Sequence, residues 1–182
     1  HWKEIFQKGT VKVKGYDAAW ADGKFRTPSG KYEFYSQKAA STGNHLLPVY
    51  REALQNNDPV FNIRAITPHW KYGLHSQFQN LDWMANIHNE PFVEINPVLA
   101  AEKGIKQGDA VKVSSSIGPL ILKAKITANV PKNEVVIYEA WYKDNPFNVN
   151  YIVKAIPADM GAYATGQPGV SFHDTFVSVE KT

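Results

Sequence analysis

Phe92-Val93-Glu94-Ile95-Asn96-Pro97-Val98-Leu99-Ala100-Ala101-Glu102-Lys103-Gly104 packs a strand, a cap, a helix and a stop into thirteen residues. Phe92 to Ile95 is a short strand, rich in β-branched and aromatic residues. Asn96-Pro97 then opens a helix: the Asn side chain caps it, Pro97 takes the first position with its preset φ, and Val98 to Lys103 follow. Gly104 supplies the left-handed stop. Downstream, Asp109 to Ser114, Pro119 to Thr127 and Val135 to Ala140 all read as strands, with turns at Gly108-Asp109 and Ile117-Gly118-Pro119. A last strand is predicted over Thr175 to Val179. Upstream, Val60 to Ile66 has the content of a buried strand. Many short strands, few short helices and Gly/Pro turns at near-regular spacing predict a mainly β, closed or near-closed barrel. There is no βαβ alternation and no internal repeat.

Ahead of the barrel pattern, residues 1–58 read as a lead-in segment, and 59–182 as the barrel. The lead-in holds a short helix candidate, an alternating strand Thr10 to Lys14, and a turn at Thr27-Pro28-Ser29-Gly30. That turn feeds a second alternating strand, Lys31 to Ser36. A brief helix is predicted from Val49 to Leu54, with Pro48 near its first turn.

Composition bounds the rest. The chain has 182 residues, 43% of them hydrophobic and 13% aromatic, which suits one domain or one with a small appendage and excludes a disordered chain. It contains no cysteine, so disulfides, thiolate nucleophiles and iron–sulfur ligation by this chain are excluded. A net charge of +3 from 20 basic and 17 acidic residues, without a Lys/Arg cluster, argues against nucleic acid as a partner. No charge-free apolar run approaches the roughly 20 residues of a membrane-spanning helix. The start, His1-Trp2-Lys3-Glu4, lacks both an initiator Met and a signal-peptide pattern, and reads as a piece of something longer.

Two long segments interrupt the barrel pattern, 67–91 and 142–174, and loops of that length in a compact domain are usually functional. The first runs Thr67-Pro68-His69-Trp70-Lys71-Tyr72-Gly73-Leu74-His75-Ser76-Gln77-Phe78-Gln79-Asn80, mixing hydrogen-bonding heads with flat rings. Such a mixture suits a planar, heteroatom-rich ligand, and equally a loop whose polar groups bond its own backbone. The second holds Asn145-Pro146-Phe147-Asn148-Val149-Asn150 and Gly161 to Gly169, whose glycines let backbone approach a ligand. It is neither a Walker loop nor a dinucleotide fingerprint. The six histidines include His69, His75, His88 and His173, at no zinc-finger or helical metal spacing, so no metal ligand is nominated. There is no Gly-x-Ser-x-Gly elbow, and Asp82, Glu90, Glu94 and Asp174 are not paired by spacing for acid–base work. No catalytic residue emerges.

Taken together, ordered blocks resemble a known family. They are Thr67-Pro68-His69-x-x-Tyr72-x-x-His75-Ser76-Gln77, then Glu90-Pro91-x-Val93-x-Ile95-Asn96-Pro97, then Ala100-x-x-x-Gly104-Ile105-x-x-Gly108-Asp109-x-Val111-x-Val113. Lys123-Ala124-x-Ile126-Thr127, Ala140-Trp141, Asn150 and Gly166-Gln167-Pro168 continue the order, and Thr27 to Ser36 looks like the entry into the domain. The chain is similar to the C-terminal domain of molybdopterin oxidoreductases of the dimethyl-sulfoxide-reductase superfamily. The resemblance implies a six-stranded double-psi β-barrel of the aspartate-decarboxylase-like kind, with a few short helices and two long rim loops. It further implies a barrel closing over the pterin ends of a bis(molybdopterin guanine dinucleotide) cofactor carrying Mo or W, held jointly with upstream domains.

Residue by residue, the resemblance implies cofactor contacts from His75, Ser76 and Gln77, with Thr67 and His69 opening that loop. Asn150 matches the start of a second contact loop, Gln167 a later polar contact, and Trp141 packing beneath. Many relatives carry Arg where this chain has Gly73, which removes a charged contact that Lys71 could replace. Pyrophosphate charge needs cations or helix N-termini, and the chain offers few, which leaves much of the dinucleotide to upstream domains. The chain alone is expected to be catalytically silent. Any iron–sulfur cluster belongs to the missing N-terminal part, and an electron-transfer iron–sulfur subunit is a possible partner. The compartment stays open.

Two other readings fit the sequence less well. A non-catalytic carbohydrate-binding module would place its rings on an exposed strand face, whereas here they lie in irregular loops. A pyruvoyl decarboxylase on the same barrel type needs a self-cleaving Gly-Ser pair, and the chain contains no Gly-Ser dipeptide.

Overall fold

A computed structural model describes residues 2–10, 18–41, 43–50, 52, 56, 58–75, 77–87, 90–139, 147–158 and 169–182. The chain forms two compact units, residues 1–53 and 54–182. Within the first, α1 (Trp2–Lys8) carries a Glu4–Lys8 ion pair one turn apart at 3.0 Å. The Thr27–Gly30 turn is present, with Gly30 at φ +69 and its N–H donating to the Thr27 carbonyl. Helix α2 (Gln37–Ala40) is capped by Ser36, whose Oγ accepts from the Ala39 N–H.

The strand predicted over Lys31 to Ser36 does not form. Its polar groups are spent locally: the Ser29 hydroxyl and then its N–H lower the Glu33 pKa by hydrogen bonding to the carboxylate, and Thr27 Oγ1 donates to the Lys31 carbonyl. Among the described residues no strand lies beside it to complete a ladder, and alternation without a partner does not make a sheet. The strand predicted at Thr10–Lys14 falls almost wholly outside the described residues. Val49, Tyr50 and Glu52 are not helical, and the rest of that predicted helix lies outside the description.

The second unit is a closed six-stranded barrel, in the order β1-β5-β2-β4-β3-β8. The strands are β1 (Ile63–Ile66), β2 (Phe92–Ile95), β3 (Ala110–Ser114), β4 (Pro119–Ile126), β5 (Glu134–Ile137) and β8 (Thr175–Lys181). A separate two-stranded ribbon pairs β6 (Pro157–Ala158) with β7 (Gly169–Val170). β1 starts three residues later than predicted because Asp58 Oδ1 accepts from the Val60 and Phe61 N–H groups, holding that backbone in a turn. The β1–β5 and β2–β4 pairs are parallel and the others antiparallel, the mixed pairing of a double-psi barrel.

Alternation along the wall is clearest in β4. Leu120, Leu122 and Ala124 of β4 are buried while Pro119, Ile121, Lys123 and Lys125 face out, and Val93, Ile95, Val111, Val113, Val135 and Ile137 fill the interior. On the outer face, Glu94 is covered by Lys125 at 2.9 Å and by the Tyr138 hydroxyl at 3.4 Å. Burial, with the Glu94 charge beside it, raises the Tyr138 pKa above the usual 10.

Strand directions dictate where the connections go. β1, β3 and β5 run one way; β2, β4 and β8 run the other. Helix α4 (Pro97–Glu102), linking β2 to β3, therefore sits at one end, where Leu99, Ala100 and Ile105 join the core. Its cap is as the sequence reading has it: Asn96 Oδ1 accepts from the Val98 N–H at 2.9 Å, and Gly104 takes φ +65. Both long connections, β1 to β2 and β5 to β8, leave and re-enter the barrel at the opposite end, together with the β3–β4 turn. Phe147 and Ile152 of the second connection are buried in the core cluster.

Candidate functional site

That rim is where irregular backbone and hydrogen-bonding side chains gather. The 67–91 connection has one helix, α3 (Asp82–Ile87), which the sequence reading leaves as loop. The β1–β5 pairing persists past the strand ends: the Glu139 N–H donates to the Pro68 carbonyl at 3.0 Å, and His69 bridges Glu139 in parallel. This extension brings a carboxylate under the loop. Glu139 Oε1 contacts Nδ1 of His69, and lies 3.0 Å from Nδ1 of His75. The two rings meet edge to face, 4.6 Å between centroids at 73°.

Glu139 Oε1 is itself shielded from water, yet it makes no aligned hydrogen bond as the rings stand, although both nitrogens are within ion-pair reach. A buried carboxylate oxygen facing two ring nitrogens is satisfied by whichever N–H groups turn to it. These three ligand atoms lie within 4.8 Å of one another, the spacing of a possible metal-binding group. Sequence spacing missed Glu139 because it arrives from β5, some 70 residues downstream of His69. The sequence reading has it inside the strand predicted over Val135 to Ala140, whereas β5 ends at Ile137, two residues before it.

Two residues of the loop adopt backbone that L residues rarely take: His75 at φ +51 and Phe78 at φ +67. Each left-handed residue costs about 1–2 kcal/mol. Gln77 closes a tight turn on the Leu74 carbonyl at 2.9 Å. Beneath, Gln79 is 3% exposed and its Nε2 has no partner among the described residues. A Cβ on Gly73 would stand 3.2 Å from that Nε2, so any side chain there forces Gln79 to move. The missing arginine is thus tied to a second choice in this loop. Lys71, the cation that could replace it, lies over the Tyr72 ring at 4.4 Å.

The other nominated residues fall as follows. Thr67 is buried, and its N–H donates to His173 Nδ1 at 3.3 Å. Asn150 is exposed within a 3₁₀ turn (Val149–Tyr151), which is capped by Asn148 Oδ1. That turn neighbours the β3–β4 turn, where a Cβ on Gly118 would stand 3.0 Å from the Tyr151 carbonyl. The structure thus brings His69 and His75 together and sets Asn150 at the same end of the barrel. Ser76, Gln167 and Trp141 lie outside the described residues. A cavity of about 360 Å³ also opens at this end, lined by Ser115, Lys154, Asp174 and Thr175 among others, and it takes in none of the nominated residues.

Comparison with known proteins bears on this geometry. The family model described as "Molydopterin dinucleotide binding domain" matches residues 63–166, from the start of β1 into the second rim connection. The chain belongs to this family, that of the dimethyl-sulfoxide-reductase-type molybdopterin oxidoreductases. The molybdopterin dinucleotide-binding domain is 28% identical over 86% of its length to the probable dimethyl sulfoxide reductase chain YnfF of Escherichia coli. It is 30% identical over 85% of its length to dimethyl sulfoxide reductase DmsA of the same organism. To a trimethylamine-N-oxide reductase of Haemophilus influenzae it is 29% identical, again over 85%. It spans only 21% of each of these three proteins. Among solved structures, acetylene hydratase from Pelobacter acetylenicus shares its fold, with a TM-score of 0.77 at 21% identity over all of this chain and 28% of that one.

The rim chemistry fits a pterin. Imidazole and amide groups supply donors and acceptors in mixed polarity, which the ring edge of a pterin also presents. The buried, unpartnered Gln79 amide and the side-chain-free Gly73 beside it leave hydrogen-bonding capacity within the loop. Beside the rim, Arg64 is paired with Asp174 at 2.9 Å.

Proposed function

We propose that this domain closes over the pterin ends of a bis(molybdopterin guanine dinucleotide) cofactor, as the C-terminal part of the catalytic subunit of a molybdenum or tungsten oxidoreductase. The single observation that carries the reading is the convergence of both long connections at one barrel end, with the exposed side chains of His69 and His75 clustered there and His75 on left-handed backbone. When bound, the cofactor supplies the redox chemistry, and the protein orients it and excludes water. Thr67, His69, His75, Ser76 and Gln77 contact the pterin from the first rim segment; Asn150 and Gln167 do so from the second. The barrel supplies rigidity, and the loops supply the contacts. Each neutral hydrogen bond contributes about 0.5–1.5 kcal/mol net, so retention rests on many contacts together.

With few free cations at the rim, the pyrophosphates and the guanosine ends fall to upstream domains of the same parent chain. The protein ligand to the metal, any iron–sulfur cluster and any electron-transfer subunit are likewise assigned to regions outside this chain. By itself the domain is catalytically silent. The test is pterin content. In the intact enzyme, His75→Ala and Asn150→Ala should each lower the pterin released per polypeptide, read by fluorescence after oxidation, while the thermal midpoint holds. Full pterin content in both variants would remove the assignments.

A further inference from the structure

We propose that Glu139 is a positioning residue: its Oε1 takes the Nδ1–H groups of both His69 and His75, and so turns both Nε2 atoms outward as acceptors for the N–H groups of the bound heterocycle. In a neutral imidazole one nitrogen donates and the other accepts, and the partner of one decides the role of the other. Both Nδ1 atoms lie within ion-pair reach of the same carboxylate oxygen, which is shielded from water and has no other partner among the described residues, and a small turn of each ring aligns its Nδ1–H on that oxygen. A carboxylate only accepts, so the ring nitrogen that bonds it donates, and in the neutral ring Nε2 is left with a lone pair. The side chains of His69 and His75 are 62% and 64% exposed, so those Nε2 atoms are open to a ligand. The backbone that carries Glu139 is fixed in turn, because its N–H donates to the Pro68 carbonyl at the loop's base. This is the second layer that fixes a ring's tautomer and direction in many ligand sites. The ligand class is therefore an N–H-rich heterocycle at these rings rather than a phosphate, which would need donors.

The structure contains its own contrast. His173 Nδ1 accepts from the Thr67 N–H at 3.3 Å, so His173 must carry its proton on Nε2, the opposite tautomer.

The inference rests on the pterin-contact reading of the loop, and the two can fail separately. In the ¹⁵N-labelled 182-residue chain, two-bond ¹H–¹⁵N spectra should show His69 and His75 as Nδ1–H tautomers and His173 as Nε2–H. Glu139→Ala should swing both rings toward Nε2–H. Glu139→Gln keeps an acceptor oxygen and should retain Nδ1–H, so its spectrum stands even where the alanine variant unfolds. In the intact enzyme, Glu139→Ala should lower pterin content several-fold, and Glu139→Gln should restore most of it. Wild-type rings found as Nε2–H, or tautomers unmoved by Glu139→Ala, overturn the positioning role whatever the loop binds. Should the tautomers respond while a His69→Ala/His75→Ala double variant keeps its full pterin, the pterin-contact reading falls and the ligand side of this proposal with it. Stoichiometric binding of added Zn²⁺, lost in Glu139→Gln, would make the cluster a cation site and overturn the assignment.

Discussion

In the barrel wall Val93, Ile95, Val111, Val113, Val135 and Ile137 are fully buried, and every second residue of β4 points inward. At the rim, beyond the ends of β1 and β5, His69 and His75 are mostly exposed, His75 and Phe78 are left-handed, and two polar atoms (Gln79 Nε2 and Glu139 Oε1) are buried without an aligned hydrogen bond among the described residues. The wall is locally consistent at every level: pattern, propensity and packing agree. The rim breaks those rules at several neighbouring positions. Rule-breaking of this kind concentrates where a structure is shaped for a ligand and not for its own stability.

The contrast can be broken hardest at the wall. Ile95→Ala removes a fully buried side chain, so urea denaturation should show a loss of about 2–5 kcal/mol, with pterin retention falling only because the barrel melts. At the rim the loss should be much smaller. His75→Gly relieves a left-handed residue but gives up the contact with Glu139, so the cofactor-free chain should change by no more than about 1 kcal/mol while pterin retention drops. A loss of stability comparable to that of Ile95→Ala would mean that the loop supports the fold.

The smallest effect lies far from the rim. Asp109 starts β3 at the opposite end, where hydrogen bonds from the Lys181 ammonium and the Lys106 N–H hold its carboxyl below the ordinary 3.8. Its lowered pKa contributes stability that is complete above the ordinary value and is lost as pH falls through the native one. Asp109→Asn should therefore be slightly less stable than the wild type at neutral pH, with the gap closing as the pH is taken below about 3.8, and with no change in pterin content at neutral pH. A gap that widens in acid would contradict the ion pair.

How much of this was readable in the residues follows the same division. The wall was legible because a half-buried strand writes its alternation directly into the chain, as in Pro119 to Ile126, and because Asn96-Pro97 and Gly104 have a fixed local chemistry. The predicted strand at Lys31–Ser36 failed for the converse reason: alternation is local, but a strand needs a neighbour. At the rim, the resemblance nominated His69 and His75, yet neither composition nor spacing could supply Glu139, since that contact exists only after β5 has paired in parallel with β1. Gln79 was hidden too; its burial follows from the turn that Leu74 and Gln77 close and from the missing side chain at Gly73.

The most direct measurement is hydrogen exchange of the backbone amides in the intact enzyme, with and without its cofactor. The account predicts that loading the cofactor slows exchange in both rim segments, at 67–79 and at 147–153, while the wall amides of β2 and β4 keep their rates. Protection confined to one segment, or absent from both, would contradict the claim that the two connections grip one ligand.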